Sequence, residues 1–325
     1  MKNIVIIGGG TGTFTLLSGL RKFPTNNSVI VSTADDGGST GRLRKDLAVL
    51  PPGDLRQCLV GLSYTDETTR ELFSYRFGSG ELKGHVVGNL IIAALQKATG
   101  NIEQAIIAVA KILNVRGQVV PVTLFPTTLS AKYSNGKKVV GEHNIDENTF
   151  NLKPPISHIT LQPSRLANPR ALRLIAEADT IVFGPGDLYT STLPNVLARG
   201  MKEAIKKSKA RKVMITSLMT KGGQTDGFGA SDFVRVMEQY LGRGQIDTVI
   251  VNTKKPDRQW LARHKKEGSE FVQADLVALR KKDLKVITHD LLSQNVFEKS
   301  SGDSLKRSHL RHDSDRLAKL IVDLA

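Results

Sequence analysis

The sequence predicts an α/β protein: one doubly wound domain on a mainly parallel sheet, carrying a β-hairpin insertion. Three observations predict it. Short apolar, β-branched runs such as Asn3–Ile7 and Thr180–Phe183 stop at glycine loops, as strands buried on both faces do. Stretches with helical spacing separate these runs. In the middle the pattern changes to alternation around Asn135-Gly136, the dipeptide that favours a tight hairpin.

The elements follow in order. Asn3–Ile7 is a buried strand, and residues 13–22 carry Phe14, Leu16, Leu17 and Leu20 at helical spacing. Residues 29–33 form a second strand that ends in Asp35-Asp36-Gly37-Gly38. Asp66 is placed to cap a helix reaching 76, and Val87–Thr99 reads as an apolar helix ended by Gly100. Residues 102–113 read as another helix, followed by an antiparallel excursion over about 118–163. Asn168-Pro169 starts a helix, with a side-chain cap followed by proline at the first helical position. Strands at Thr180–Phe183, 212–216, Thr248–Asn252 and 285–288 restore the parallel rhythm, and 313–324 is a final helix. Residues 293–308 are polar without periodicity and are expected to be a disordered loop. No repeat or long linker interrupts the chain, so residues 1–325 are expected to be a single nucleotide-binding domain.

Composition narrows the function classes. The chain has 325 residues, enough to bury a large core, and 40% hydrophobic and 24% charged residues are ordinary for a globular protein. No apolar run approaches the roughly 20 residues that cross a bilayer, and the N-terminus carries no secretory signal, so a cytoplasmic protein is expected. The single cysteine, Cys58, excludes an intramolecular disulfide and an all-cysteine metal cage. Its neighbours supply no base, so it reads as a buried, inert thiol. A net charge of +15 attracts anions. Only 5% of residues are aromatic, and none interleave with arginine as a stacking platform would, so the expected partner is a small nucleotide rather than nucleic acid. Composition leaves homo-oligomerisation and protein partners open.

Three loops carry the chemistry. Gly8-Gly9-Gly10-Thr11-Gly12 follows the first strand directly. A phosphate at a helix N-terminus needs N–H groups unscreened by Cβ atoms, and the helix dipole favours its charge. The dinucleotide pattern G-x-G-x-x-G fits Gly8 and Gly10, but its third glycine is Thr13 here. Asp35-Asp36 ends the second strand, at the spacing of an acid that meets a ribose, of carboxylates that hold magnesium, or of a capped turn. The loop after it, with Ser39, leads into Arg42-Leu43-Arg44, which suits a phosphate. Gly184-Pro185-Gly186-Asp187-Leu188-Tyr189-Thr190-Ser191 repeats the logic of the first loop after another buried strand. Two such loops on one sheet predict a ligand gripped at a topological switch point. Asp54 and Arg56 in a proline-glycine turn, His85 and Asn89 around Gly88, and Arg311-His312-Asp313 before the last helix are secondary candidates, each more often structural.

Taken together, GGGTG from Gly8, ADDGGSTGRLR from Ala34, PPGDLRQCL from Pro51, GPGDLYTSTLPN from Gly184, TDGF from Thr225 and RHD from Arg311 resemble the YvcK-like family of gluconeogenesis factors. That family is related to CofD, the phospholactate transferase of deazaflavin coenzyme synthesis. The resemblance covers essentially the whole chain. It implies a Rossmann-like three-layer α/β/α fold with ligand over the strand ends, and binding of UDP-sugars such as UDP-N-acetylglucosamine. It also implies a link to central carbon metabolism and cell shape. By matching motif positions, Gly9 to Gly12, Asp36, Arg42, Asp54, Asn89, Gly186 and Arg311 would line the site. This chain departs from the family pattern at HVVGN in place of HSFGN, at SLMTKGGQT in place of NLMTQPGET, and at Gln57 in place of asparagine.

Three functions are therefore carried forward: a non-catalytic UDP-sugar sensor, a CofD-like magnesium-dependent phospholactyl transferase using a GDP-linked carrier, and an NAD(P)-dependent oxidoreductase. The candidate ligand-binding residues are Gly9, Gly10, Thr11, Gly12, Asp35, Asp36, Ser39, Arg42, Asp54, Arg56, His85, Asn89, Gly184, Gly186, Asp187, Tyr189, Ser191 and Arg311. Asp36 is the candidate metal ligand, and no catalytic residue is assigned.

Overall fold

The computed structural model describes residues 1–148, 151, 154–294 and 309–325. The strands are β1 (Asn3–Ile7), β2 (Asn26–Val31), β3 (Gln118–Pro121), β4 (Thr128–Tyr133), β5 (Lys138–Val140), β6 (Ile156–Gln162), β7 (Thr180–Phe183), β8 (Arg211–Ile215), β9 (Thr248–Asn252) and β10 (Lys285–His289). Seven of them form one sheet in the order β10-β9-β8-β7-β1-β2-β3, paired in parallel throughout. The chain winds outward from β1 in one direction and from β7 in the other. The switch point therefore lies between β1 and β7, where register pairs Ile7 with Phe183.

Alternation within each strand makes the three layers. Ile4 and Ile6 of β1 join Val182, Val213 and Ile250 in the core on one face. Val5 and Ile7 join Ile181, Phe183 and Val249 in the core on the other. The first face is covered by α1 (Gly10–Leu20), through Leu16, Leu17 and Leu20, and by the C-terminal helix Ser314–Leu324. Helix Asp66 caps as expected, accepting from Thr69 N at 2.8 Å, but that helix, Glu67–Ser74, ends before residue 76.

Gly19 sets how closely α1 and the C-terminal helix approach. A Cβ at Gly19 would overlap the Ser314 carbonyl oxygen and stand 2.8 Å from Ala318 Cβ. Gly19→Val is therefore expected to lower stability by about 1–3 kcal/mol, the usual cost of overpacking, read as a lower urea midpoint at unchanged slope.

The antiparallel excursion is a three-stranded sheet, β5-β4-β6, rather than a lone hairpin. It begins at Thr128, not Gln118, because Gln118–Pro121 pairs in parallel with β2 at the edge of the large sheet. A short apolar run directly ahead of an alternating one reads as a single block. Pro121, which donates no hydrogen bond, suits an edge strand. The small sheet packs Leu129, Ala131, Tyr133, Ile159 and Leu161 into the second core. Of the expected disordered loop 293–308, residues 295–308 lie outside the described residues. Its flanks meet, with Ser293 N donating to Arg311 O at 2.9 Å. Among the described residues no helix is long and apolar enough to cross a membrane.

Candidate functional site

The parallel sheet places its loops at one edge, and the two glycine loops meet there. Gly184 N donates to Ile7 O at 3.0 Å, which ties the loop after β7 to the end of β1. Gly10 has φ +69, and the cap residue Gly9 offers no side chain, so protein side chains do not cap the first turn of α1. A Cβ on Gly12 would overlap the Pro185 carbonyl, and one on Gly9 would overlap the Asp54 carboxylate. Gly12 thus packs backbone to backbone against the second loop, and Gly9 packs against the Asp54 side chain, approaches that only glycine permits. Thr13, standing where the dinucleotide pattern has its third glycine, is buried and donates from Oγ1 to Pro185 O at 3.4 Å.

These loops floor a cleft of about 640 Å³, within the range of small-molecule sites. Gly9, Gly10, Thr11 and Gly12 line its centre, with Gly186, Asp187 and Ser191 opposite. Asp35, Ser39, Asp54, Arg56 and Asn89 line one flank, and Arg311 lines the other. On the first flank the helix Gly53–Gly61 carries the buried Arg56, whose Nε donates to Asn89 Oδ1 at 3.0 Å. Asn89 Nδ2 donates to Ser39 Oγ at 3.4 Å, and that hydroxyl meets His85 Nδ1 at 3.2 Å.

Five expected site residues do not line the cleft. Asp36 turns away from Asp35 and accepts from His143 N at 2.8 Å, which anchors the insertion. Asp35 faces the cleft and accepts from Gly37 N at 2.9 Å. Arg42 donates to Lys83 O at 2.8 Å, and His85 stands behind Ser39. Burial and the Arg42 guanidinium hold the His85 imidazole below its ordinary range. Tyr189 is buried in the core, where desolvation pushes its phenol well up. Gly184, at φ +79, shapes the turn that its neighbours line.

Sequence reading missed residues that only the fold brings in: the insertion contributes Glu142 and Asp146, and the loop after β8 contributes Lys221 beside Ser217, where the sequence departs from the family pattern. Ser217 Oγ donates to Gly186 O at 3.1 Å. Gln224, the other departure in that segment, is buried and donates to Ile145 O at 3.3 Å. The far flank adds His264 to the already expected His312, beside an apolar cluster of Leu218, Met219 and Leu310.

The charge balance is uneven. Burial, then Asp146, Asp35, Asp54 and Asp36, push the Glu142 carboxyl well above the carboxylate range. Lys221 Nζ donates to Asp146 Oδ2 at 3.0 Å and to Asp187 Oδ2 at 3.3 Å. Burial alone would favour neutral Lys221, but the two carboxylates outweigh it and keep the ammonium charged. Burial likewise opposes ionisation of Asp146, yet Lys221 prevails and lowers its pKa, whereas for Asp187 burial wins and raises it. Asp146 is thus the firmer anion of the pair.

Among the described residues no group of three or more His, Cys, Asp or Glu could hold a metal by itself. Magnesium needs less, since one or two carboxylates suffice when phosphates and waters complete its shell. Asp35 and Asp54 fit that donor set: both line the cleft, Asp54 against Gly9 and Asp35 against Gly53. They would hold the ion in the place expected of Asp36.

Comparison with known proteins identifies the family. Residues 4–292 match the family model described as 2-phospho-L-lactate transferase CofD. The chain is 38% identical to the gluconeogenesis factor of Bacillus subtilis, over 99% of this chain and 97% of that protein. It is 39% identical to the gluconeogenesis factor of Halalkalibacterium halodurans, over 99% and 96%. A crystal structure of a Bacillus halodurans protein described as a member of the upf0052 family superposes with a TM-score of 0.90 at 38% identity, covering 99% of this chain and 98% of that one. With a matching family model over most of its length and relatives matched end to end, this chain belongs to the CofD family, alongside proteins named gluconeogenesis factors.

Proposed function

We propose that this chain binds a nucleotide sugar, with UDP-N-acetylglucosamine the reference compound, and acts as a regulator of central carbon metabolism and cell shape. The observation that carries the reading is the meeting of two glycine-rich loops at the switch point, one of them opening a helix. That arrangement offers backbone N–H groups to a diphosphate, and the cleft extends on both sides of it for the groups at either end. The regulatory part rests on the gluconeogenesis-factor relatives.

Thermal unfolding tests it. A ligand bound only by the native state, at 100 times its dissociation constant, adds about 2.7 kcal/mol. Each kcal/mol raises the melting temperature by roughly 2–4 °C in domains somewhat smaller than this one. UDP-N-acetylglucosamine or UDP-glucose is expected to give a clear upward shift, UDP a smaller one and uridine little. A flat response to every nucleotide refutes the reading.

A second reading, magnesium-dependent transfer from a GDP-linked carrier, is favoured by Asp35 and Asp54 flanking the phosphate loop and by the family description. Bound there, the ion would neutralise phosphate charge. Asp35 and Asp54 would orient it, and Gly9 to Gly12 would hold the phosphates. In the same assay, the largest shift would then come from a GDP derivative and only with magnesium.

A further inference from the structure

The insertion delivers a carboxylate to a lysine inside the cleft. Lys221, in the loop after β8, bridges Asp146 of the insertion and Asp187 of the loop after β7, at 3.0 and 3.3 Å. Asp146 also accepts from Thr190 Oγ1 at 3.1 Å. All four residues line the cleft. An ammonium carries three donors, and two are engaged by these carboxylates. The Lys221 Nζ group has no further partner among the described residues, and 23% of the side chain is exposed. Its third N–H thus faces the cleft, as does the Asp187 side chain, 38% exposed, which leaves one part of its carboxyl open while the other meets Asp146. The wall beside them is Gly222 and Gly223: Gly223 has φ +78 and carries the Asn148 amide against it, and a Cβ on Gly222 would stand 3.0 Å from the Gly268 carbonyl oxygen.

Charge and geometry select the ligand group. Two carboxylates share one ammonium, and Glu142 lies close to the same acids, so a further anion gains nothing here. A hydroxyl gains twice, because it donates to a carboxylate and accepts from the ammonium. The order acceptor, donor, acceptor along Asp146, Lys221 and Asp187 matches two neighbouring hydroxyls. Asp187 directly follows Gly186, whose carbonyl Ser217 holds in the phosphate loop. A group carried on the outer phosphate therefore reaches this point.

We propose that Asp146, Lys221 and Asp187 form a polyol subsite that recognises adjacent hydroxyls of the sugar on the outer phosphate of the nucleotide. This rests on the nucleotide-sugar reading above and adds where the sugar is held and by what chemistry.

Calorimetric titration of the full chain with UDP and with UDP-glucose tests it, scored as the ratio of the two affinities. In the unsubstituted protein UDP-glucose is expected to bind at least about tenfold more tightly than UDP, the size of one charge-assisted hydrogen bond. Lys221→Met is expected to bring that ratio close to one. Because Lys221 also fastens the insertion, Asp187→Asn provides a second variant that keeps side-chain shape and the lysine. A ratio retained in folded Asp187→Asn, or equal affinity for UDP and UDP-glucose in the unsubstituted protein, overturns the subsite while the nucleotide reading stands. Absence of binding to either compound by the unsubstituted protein overturns both.

Discussion

Gly12→Val is expected to lower affinity for UDP-N-acetylglucosamine at least about a hundredfold, near 2.7 kcal/mol of binding free energy. The reason is positional. A Cβ at residue 12 would overlap the Pro185 carbonyl and lie 3.2 Å from Gly186 N, so the branched side chain must drive the two glycine loops apart. The N–H groups at the start of α1 then lose their common focus with the loop after β7. The strain also lowers stability, by about 1–3 kcal/mol for an overpacked contact. Binding is therefore measured below the variant's own unfolding transition, by calorimetry on protein whose far-ultraviolet spectrum matches the parent. Affinity equal to the parent's would place the diphosphate elsewhere.

His312→Gln is expected to flatten the acid side of the stability profile by roughly 2–3 kcal/mol between pH 7.5 and 4.5. His312 is buried beside the cleft, its Nε2 has no partner among the described residues, and burial pushes its pKa down to about 4. A bond to the Thr216 backbone offsets only part of that. Above pH 6.5 the imidazole is neutral in both folded and unfolded chains. As pH falls from 6.5 towards 4, the unfolded chain takes a proton that the native state refuses, so native stability is lost. Glu142 acts in the opposite sense, since its raised pKa makes stability fall as pH rises above the ordinary carboxylate value. His264 is also lowered, mainly by burial, and adds to the acid loss. Comparing urea unfolding of parent and variant across the range isolates His312, because the other groups cancel. Parallel profiles would show that the imidazole is not held neutral.

Where local pattern decides structure, the sequence was sufficient. Asn3–Ile7, Thr180–Phe183 and Thr248–Asn252 are runs of apolar β-branched residues with abrupt glycine or polar ends, and each is a strand over those residues. Val87–Thr99, stopped by Gly100 at φ +68, and the helix begun by Asn168-Pro169 were equally legible from their caps. The two glycine loops were legible as a pair of close-packed turns after buried strands, and they do meet, Gly184 N donating to Ile7 O. Tertiary structure alone decided which way neighbouring carboxylates point. Asp35 and Asp36 are indistinguishable in sequence, but one faces the cleft and the other accepts from the His143 backbone more than a hundred residues away. The same holds for β3, which local alternation assigns to the insertion and parallel pairing with β2 assigns to the large sheet. It holds most of all for Lys221, Asp146 and Asp187. Their ion pairs join two loops and the short helix Glu142–Asp146, all distant in the chain, and Coulomb interaction depends on separation in space, which no spacing along a sequence encodes.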